Sequence, residues 1–162
     1  MRNQLYILFF FLSFCVVDIH LNAQCLTDGH SNVWQDSWTS CSLSANPNSA
    51  RAASHWIQYD FGEPYFLSTS HIWNANQLGE TDRGFQNIVI DYSTDGVNWI
   101  EWGTHTLSQA PGTNGYQGET GPDFSGIKAQ YLLITALDNF GDPSCASLAE
   151  VRAALKKIKN NA

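Results

Sequence analysis

Apolar and polar positions alternate along most of this chain. In Trp56-Ile57-Gln58-Tyr59-Asp60-Phe61, the residues Ile57, Tyr59 and Phe61 fall on one face, the pattern of a half-buried strand. Gly62-Glu63-Pro64 interrupts it, and the stretch 66–73 predicts a second strand. Ile88, Ile90 and Tyr92 share a face in the next one. Ser93-Thr94-Asp95-Gly96 predicts a tight turn, because Asp-Gly accepts the positive φ values such turns need, and 98–104 returns from it. Residues 107–126, with five glycines and two prolines, read as a long loop with one short strand near Tyr116. The stretch 131–137 is apolar on both faces, which predicts a central strand. A loop at 138–144 follows, and the last pattern, 148–155, suits a strand or a short helix equally. Short strands separated by turn signals, with no internal repeat, predict an all-β fold of two antiparallel sheets packed as a sandwich.

The beginning of the chain follows a different rule. Arg2 precedes an apolar run at 5–17, and Leu21-Asn22-Ala23 offers a small residue before Gln24, the layout of a secretory signal peptide over 1–23. The run is short for a membrane span, so no membrane insertion is expected after its removal. About 139 residues remain, enough for one core. The domain is expected over 24–155, with a basic tail at 156–162. The net charge of −7 and the eight Lys and Arg exclude nucleic acid as a natural partner. Secretion favours a disulfide, and Cys25 with Cys41 is the expected pair because the two are close in sequence around a polar loop. Cys145 is then an odd cysteine, buried or free.

Several of these segments resemble one family in its own order and at about its spacing. Ser54-His55-Trp56-Ile57-Gln58-Tyr59-Asp60-Phe61-Gly62 resembles the W-I-x-x-D-[LF]-G strand of discoidin domains. These are also called coagulation factor 5/8 type C domains and are close to family 32 carbohydrate-binding modules. Tyr92-Ser93-Thr94-Asp95-Gly96-Val97-Asn98-Trp99 is similar to the family's Y-S-x-D-G-x-x-W hairpin. Tyr131-Leu132-Leu133-Ile134 and Ser147-Leu148-Ala149-Glu150-Val151 resemble its later strands. The resemblance spans roughly 25–153 and implies a galactose-binding-like jelly roll of about eight strands in two sheets. The N-terminal part departs from the family's D-G-x-x-x-T-x-W-x-S. Asp28-Gly29 is followed by Asp36-Ser37-Trp38-Thr39-Ser40, with extra residues between.

The function implied is a secreted, non-catalytic carbohydrate-binding module; a protein-interaction or adhesion module on the same fold is the alternative. Sugar sites need an aromatic face for the C–H side of a ring and fixed polar groups for its hydroxyls. Trp73, Asn74, Asn76 and Arg83 on one loop, and Asn139 and Phe140 on another, are the candidate ligand residues. Trp73 is either a platform or a core residue, and Asn74 and Asn76 either meet a ligand or satisfy loop backbone. The loops look polar, which argues against lipid. The family also implies a structural calcium, here held by Asp28, Asp36 and Glu150. The histidines are scattered without zinc spacing, and no H-E-x-x-H, G-x-S-x-G or phosphate loop is present. Glu80 with Asp82, or Asp138 with Asp142, are carboxylate pairs that hydrolysis could use, and no catalysis is expected from them.

Overall fold

The structure is a computed structural model that describes residues 28–158; the leader and Cys25 lie outside these residues. Seven strands form: β1 (Trp38–Ser40), β2 (Trp56–Asn74), β3 (Asn87–Ser93), β4 (Ile100–Thr106), β5 (Glu119–Asp123), β6 (Lys128–Ala136) and β7 (Ala146–Lys157). All the pairings are antiparallel.

The two strands expected at 56–61 and 66–73 are one long element that bends. Its first half pairs with β6 in the register Trp56↔Thr135 to Asp60↔Tyr131. Its second half pairs with β7, from Phe66↔Lys156 to Asn74↔Leu148. Gly62 makes the bend: its φ of 78° is left-handed backbone that favours glycine. Its N–H donates to Asp60 Oδ1 at 2.8 Å, closing an Asx-type turn. β2 therefore serves both sheets. One sheet runs β2 (first half), β6, β3, β4; the other runs β5, β2 (second half), β7, β1. This is the expected β-sandwich, with β2 counted twice to reach eight strand segments.

The core between the sheets holds Leu67, Ile72, Phe85, Ile90, Phe124 and Leu132. Ile88 and Ile90 are fully buried and Tyr92 packs against them, as their shared face requires. The β3–β4 hairpin forms around Gly96. β6 lies between β2 and β3, so its expected central position holds. Its outer face is covered too. The segment 45–54 folds across Val89, Asp91, Leu133 and Thr135, with Asn46 Nδ2 donating to Thr135 Oγ1 at 2.9 Å. That cover is why both faces of β6 read as apolar.

Two expectations are corrected. The disulfide joins Cys41 to Cys145, not Cys25 to Cys41, so Cys145 is neither odd nor free. β1 and the start of β7 are paired at Ser40↔Ala146, which brings these two cysteines together from 104 residues apart. The short strand in the long loop lies at Glu119–Asp123, just after Tyr116, which itself forms an isolated bridge to His30. The last element is a strand, not a helix, and it continues through Lys157.

Register fixes which loops meet. Both ends of β2, the start of β3, the end of β4, the end of β6 and the start of β7 lie at one end of the sandwich. The segments 41–55, 75–86, 107–118 and 137–145 are thereby gathered there. The hairpin turn, the β2 bend and the last residues of β7 lie at the other.

Candidate functional site

The loop end contains a cleft of about 400 Å³ between the segment 41–55 and the loop 137–145. The disulfide ties these two walls together. Its lining includes Leu43, Arg51, His55, Leu137, Asp138 and Asn139. Arg51 anchors one wall. Its Nε and Nη2 donate to the two oxygens of the fully buried Asp91 at 3.0 and 2.7 Å. Nη2 also reaches Glu101 at 2.9 Å. Both carboxylates raise the guanidinium's affinity for its proton, the Asp91 hydrogen bond most. His55 Nδ1 is hydrogen-bonded to Ser40 Oγ at 3.0 Å, leaving Nε2 as the ring's unused nitrogen among the described residues. Leu43 and Leu137 are 63% and 56% exposed. Apolar walls with a few fixed polar groups, at this volume, are features that small-ligand sites share.

The two loops named from the sequence do meet, but they lock each other. Arg83 Nε donates to Asp142 at 2.9 Å and Nη2 to Glu80 at 2.6 Å. Backbone N–H groups of Ser144 and Cys145, with Arg83, hold the Asp142 carboxyl far below the usual carboxylate range. Asn139 Nδ2 donates to the carbonyls of Asp142 and Cys145, both at 2.8 Å, so it shapes its own loop while lining the cleft. Phe140 is half-buried on the same loop.

Asn74 and Asn76 are corrected as ligand residues. Both are buried, at 0% and 1% exposure. Asn74 Nδ2 donates to the carbonyls of Phe85 and Ser108, and its Oδ1 accepts from Ala75 N–H. Gly84 packs so closely on it that a Cβ there would sit 2.9 Å from Asn74 Oδ1. Asn76 Nδ2 donates to the carbonyls of Ser31 and Thr113, and Gly112 N–H donates to its Oδ1. Their amides hold the loops together, because buried carbonyls and N–H groups must find partners. Of the two roles open to Trp73, its burial fits the core one: it is 2% exposed, and its Nε1 donates to Asp28 O at 2.8 Å.

Asp28, Asp36 and Glu150 do not fit a calcium ion. Arg152 donates to both Asp28 and Glu150, and lies 4.5 Å from the Trp73 ring centroid. His30 Nε2 lies 2.8 Å from Glu150. Burial opposes ionisation of Glu150, but the Arg152 and His30 contacts outweigh it and hold its carboxyl below the usual range. Asp36 turns instead to Ser31, accepting from both its N–H and its hydroxyl. Among the described residues these three acids do not form a group whose oxygens lie close enough together to share one ion. A different group converges: one oxygen from each of Glu80, Asp82 and Asp142 lies within 4.8 Å of the others, and this group could hold a metal ion. Asp82 Oδ1 is buried without a hydrogen-bond partner among the described residues, and an all-oxygen donor set suits a hard cation.

The cleft residues Leu43, Arg51, His55 and Leu137 escaped the sequence reading. Leu43 and Arg51 lie in a segment without periodicity, His55 and Leu137 read only as strand-end residues, and the pairing of Ser40 with Ala146 brings their walls together. Trp34 was missed too, and it carried a signal: a lone Trp in Ser31-Asn32-Val33-Trp34-Gln35-Asp36 has no alternation to bury it. It is 67% exposed. The loops are also less polar than expected, since Val33 and Leu78 are exposed beside it in the chain path.

The family model described as F5/8 type C domain matches residues 18–151. Solved structures share the fold. A family 32 carbohydrate-binding module (CBM32-3) from a family 31 glycoside hydrolase of Clostridium perfringens is 23% identical. The match covers 79% of this chain and 88% of that one, with a TM-score of 0.53. The family 32 module of Streptococcus pneumoniae EndoD is 14% identical over 77% and 78% of the two chains, at 0.54. A fucose-binding module of the same organism is 18% identical over 78% and 79%, at 0.50. No curated protein matches the sequence.

Proposed function

The chain belongs to the F5/8 type C domain family, and from that premise we propose that it is a secreted, non-catalytic module that binds carbohydrate at its loop end. The observation that carries this reading is the cleft of about 400 Å³, whose apolar walls and fixed polar groups suit the two faces of a sugar ring. The names of the solved relatives, which are carbohydrate-binding modules, support it. Secretion is supported by the leader pattern and by the Cys41–Cys145 disulfide, a bond of oxidising compartments.

The absence of catalysis is argued from the carboxylates. A glycosidase needs one carboxyl protonated at working pH. Glu80 and Asp142 are both ion-paired to Arg83, and Asp142 is held ionised. Asp138 accepts from Asn87 N–H and Nδ2 and so is committed to the fold. On this reading the cation suited to Glu80, Asp82 and Asp142 is calcium, with a structural role in the loop 75–86. The exposed Leu43 and Leu137 favour a second reading, a protein-binding module using the same cleft.

The test is an amide NMR titration of the mature chain with a panel of neutral oligosaccharides. Shifts confined to the loop end, around His55, Leu137 and Asn139, are expected. Shifts elsewhere, or none across the panel, would remove the reading and leave the protein-binding one.

A further inference from the structure

Resting on the carbohydrate reading above, we propose that Trp34 is a stacking platform for a sugar ring outside the cleft. We further propose that the ligand of this end is an uncharged polysaccharide rather than a sulfated or uronic glycan. Two independent observations carry the inference.

The first is the ring itself. Trp34 opens the short 3-10 turn Trp34–Asp36 and is 67% exposed, next to Val33 at 46%. Leu78, 70% exposed, joins them, because its N–H donates to Asn32 O at 3.1 Å. The backbone beneath is held rigidly. Asn32 Nδ2 donates to Gly112 O, Asn32 N–H donates to Asn114 Oδ1, and Asp36 accepts from Ser31. An indole on a fixed backbone presents a flat apolar face at low entropic cost, which is what the C–H side of a pyranose stacks on. These are also the residues by which the chain departs from its family's N-terminal pattern, so the platform is a feature of this chain. Hydrogen bonds and close packing link the loop beneath it to the loops of the cleft. Leu78 adjoins the turn Thr81–Arg83, Arg83 holds Asp142, and Asn139 of that same loop lines the cleft. Such a row suits several residues of a polymer, each adding to the affinity of the others.

The second is the distribution of charge. Among the described residues the three lysines, Lys128, Lys156 and Lys157, sit at the far end of the sandwich, at the start of β6 and the end of β7. Arg51, Arg83 and Arg152 are each bound to carboxylates. Among the described residues the loop end carries Glu80, Asp82, Asp138 and Asp142 and no lysine, so even with a calcium ion held by Glu80, Asp82 and Asp142 no uncommitted side-chain cation faces an anionic ligand there. Sulfate or carboxylate on a glycan meets like charge there and is repelled.

The experiment is affinity gel electrophoresis of the mature chain against galactomannan, dextran, dextran sulfate and polygalacturonate. Retardation by at least one of the two neutral polymers is expected, insensitive to salt, with none by the charged ones. Trp34→Ala is expected to weaken it about tenfold or more at an unchanged melting temperature, and Trp34→Phe to weaken it less. Trp34→Ala binding like wild type would overturn the platform and leave the carbohydrate reading intact. Retardation chiefly by dextran sulfate or polygalacturonate would overturn the charge selectivity. No retardation by any polymer, or sedimentation with phosphatidylcholine vesicles instead, would overturn this inference. If the NMR titration then also shows no sugar contact, the carbohydrate reading falls with it.

Discussion

Arg51→Ala should cost more stability than any other single change to an arginine in this chain. The reason is Asp91. Its side chain is fully buried, and both of its oxygens accept from one guanidinium, Nε at 3.0 Å and Nη2 at 2.7 Å. Truncating Arg51 strands that carboxylate beneath the segment 45–54. Removing one member of a buried pair typically costs about 3–5 kcal/mol. Arg51 itself is 22% exposed, so water can reach part of the gap. We therefore expect about 2–3 kcal/mol. In a domain of this size that lowers the melting temperature by about 6–12 °C. The second partner, Glu101, is 56% exposed, and Glu101→Ala should change stability by less than about 0.5 kcal/mol. Replacing the pair together, Arg51→Met with Asp91→Leu, should recover most of the loss, because no charge is then left unpaired. The assay is urea unfolding under non-reducing conditions, followed by tryptophan fluorescence. Arg51→Ala within about 0.5 kcal/mol of wild type, or a Glu101→Ala effect as large, would refute the reasoning.

Four further outcomes follow from the same geometry. Asn74→Ala and Asn76→Ala should each destabilise the fold by about 1–3 kcal/mol, seen as lower urea midpoints, because each strands buried backbone partners. Reducing the Cys41–Cys145 bond, or Cys41→Ser, should cost about 2–5 kcal/mol, measured as a melting shift with and without reductant; the bridge closes a separation of 104 residues. Asp142 and Asp95 have folded-state affinities for protons far below their ordinary value of 3.8, held there chiefly by backbone N–H groups. Their stabilisation is therefore full at neutral pH and is lost as pH falls below that value. Asp142→Asn should flatten the acid limb of a stability-versus-pH curve. Calcium should raise the melting temperature and a chelator lower it, and Asp82→Asn should abolish the difference.

The fold was readable because it rests on local signals. Alternation in 56–61 and 88–92, the Asp95-Gly96 turn and the doubly apolar 131–137 each mark a strand or a turn within a few residues. The site was harder. Asn74 and Asn76 have the side chains of ligand residues, yet the same two-donor amides are what a buried loop needs for its carbonyls, and only burial distinguishes the roles. The disulfide followed register, not proximity in sequence: β1 beside β7 brings Cys41 to Cys145. The cleft depends on the same long-range pairing, so its walls carried no common mark in the sequence.

The most direct test of carbohydrate binding at the loop end is a glycan array probed side by side with the wild-type mature chain and with Leu137→Arg. Leu137 is more than half exposed, so the arginine fills the cleft without disturbing the core. We predict binding by wild type to a defined group of neutral glycans, and its loss in the variant at an unchanged melting temperature. A folded wild-type protein that binds no glycan, or a cleft-filled variant that binds as well as wild type, would contradict the account.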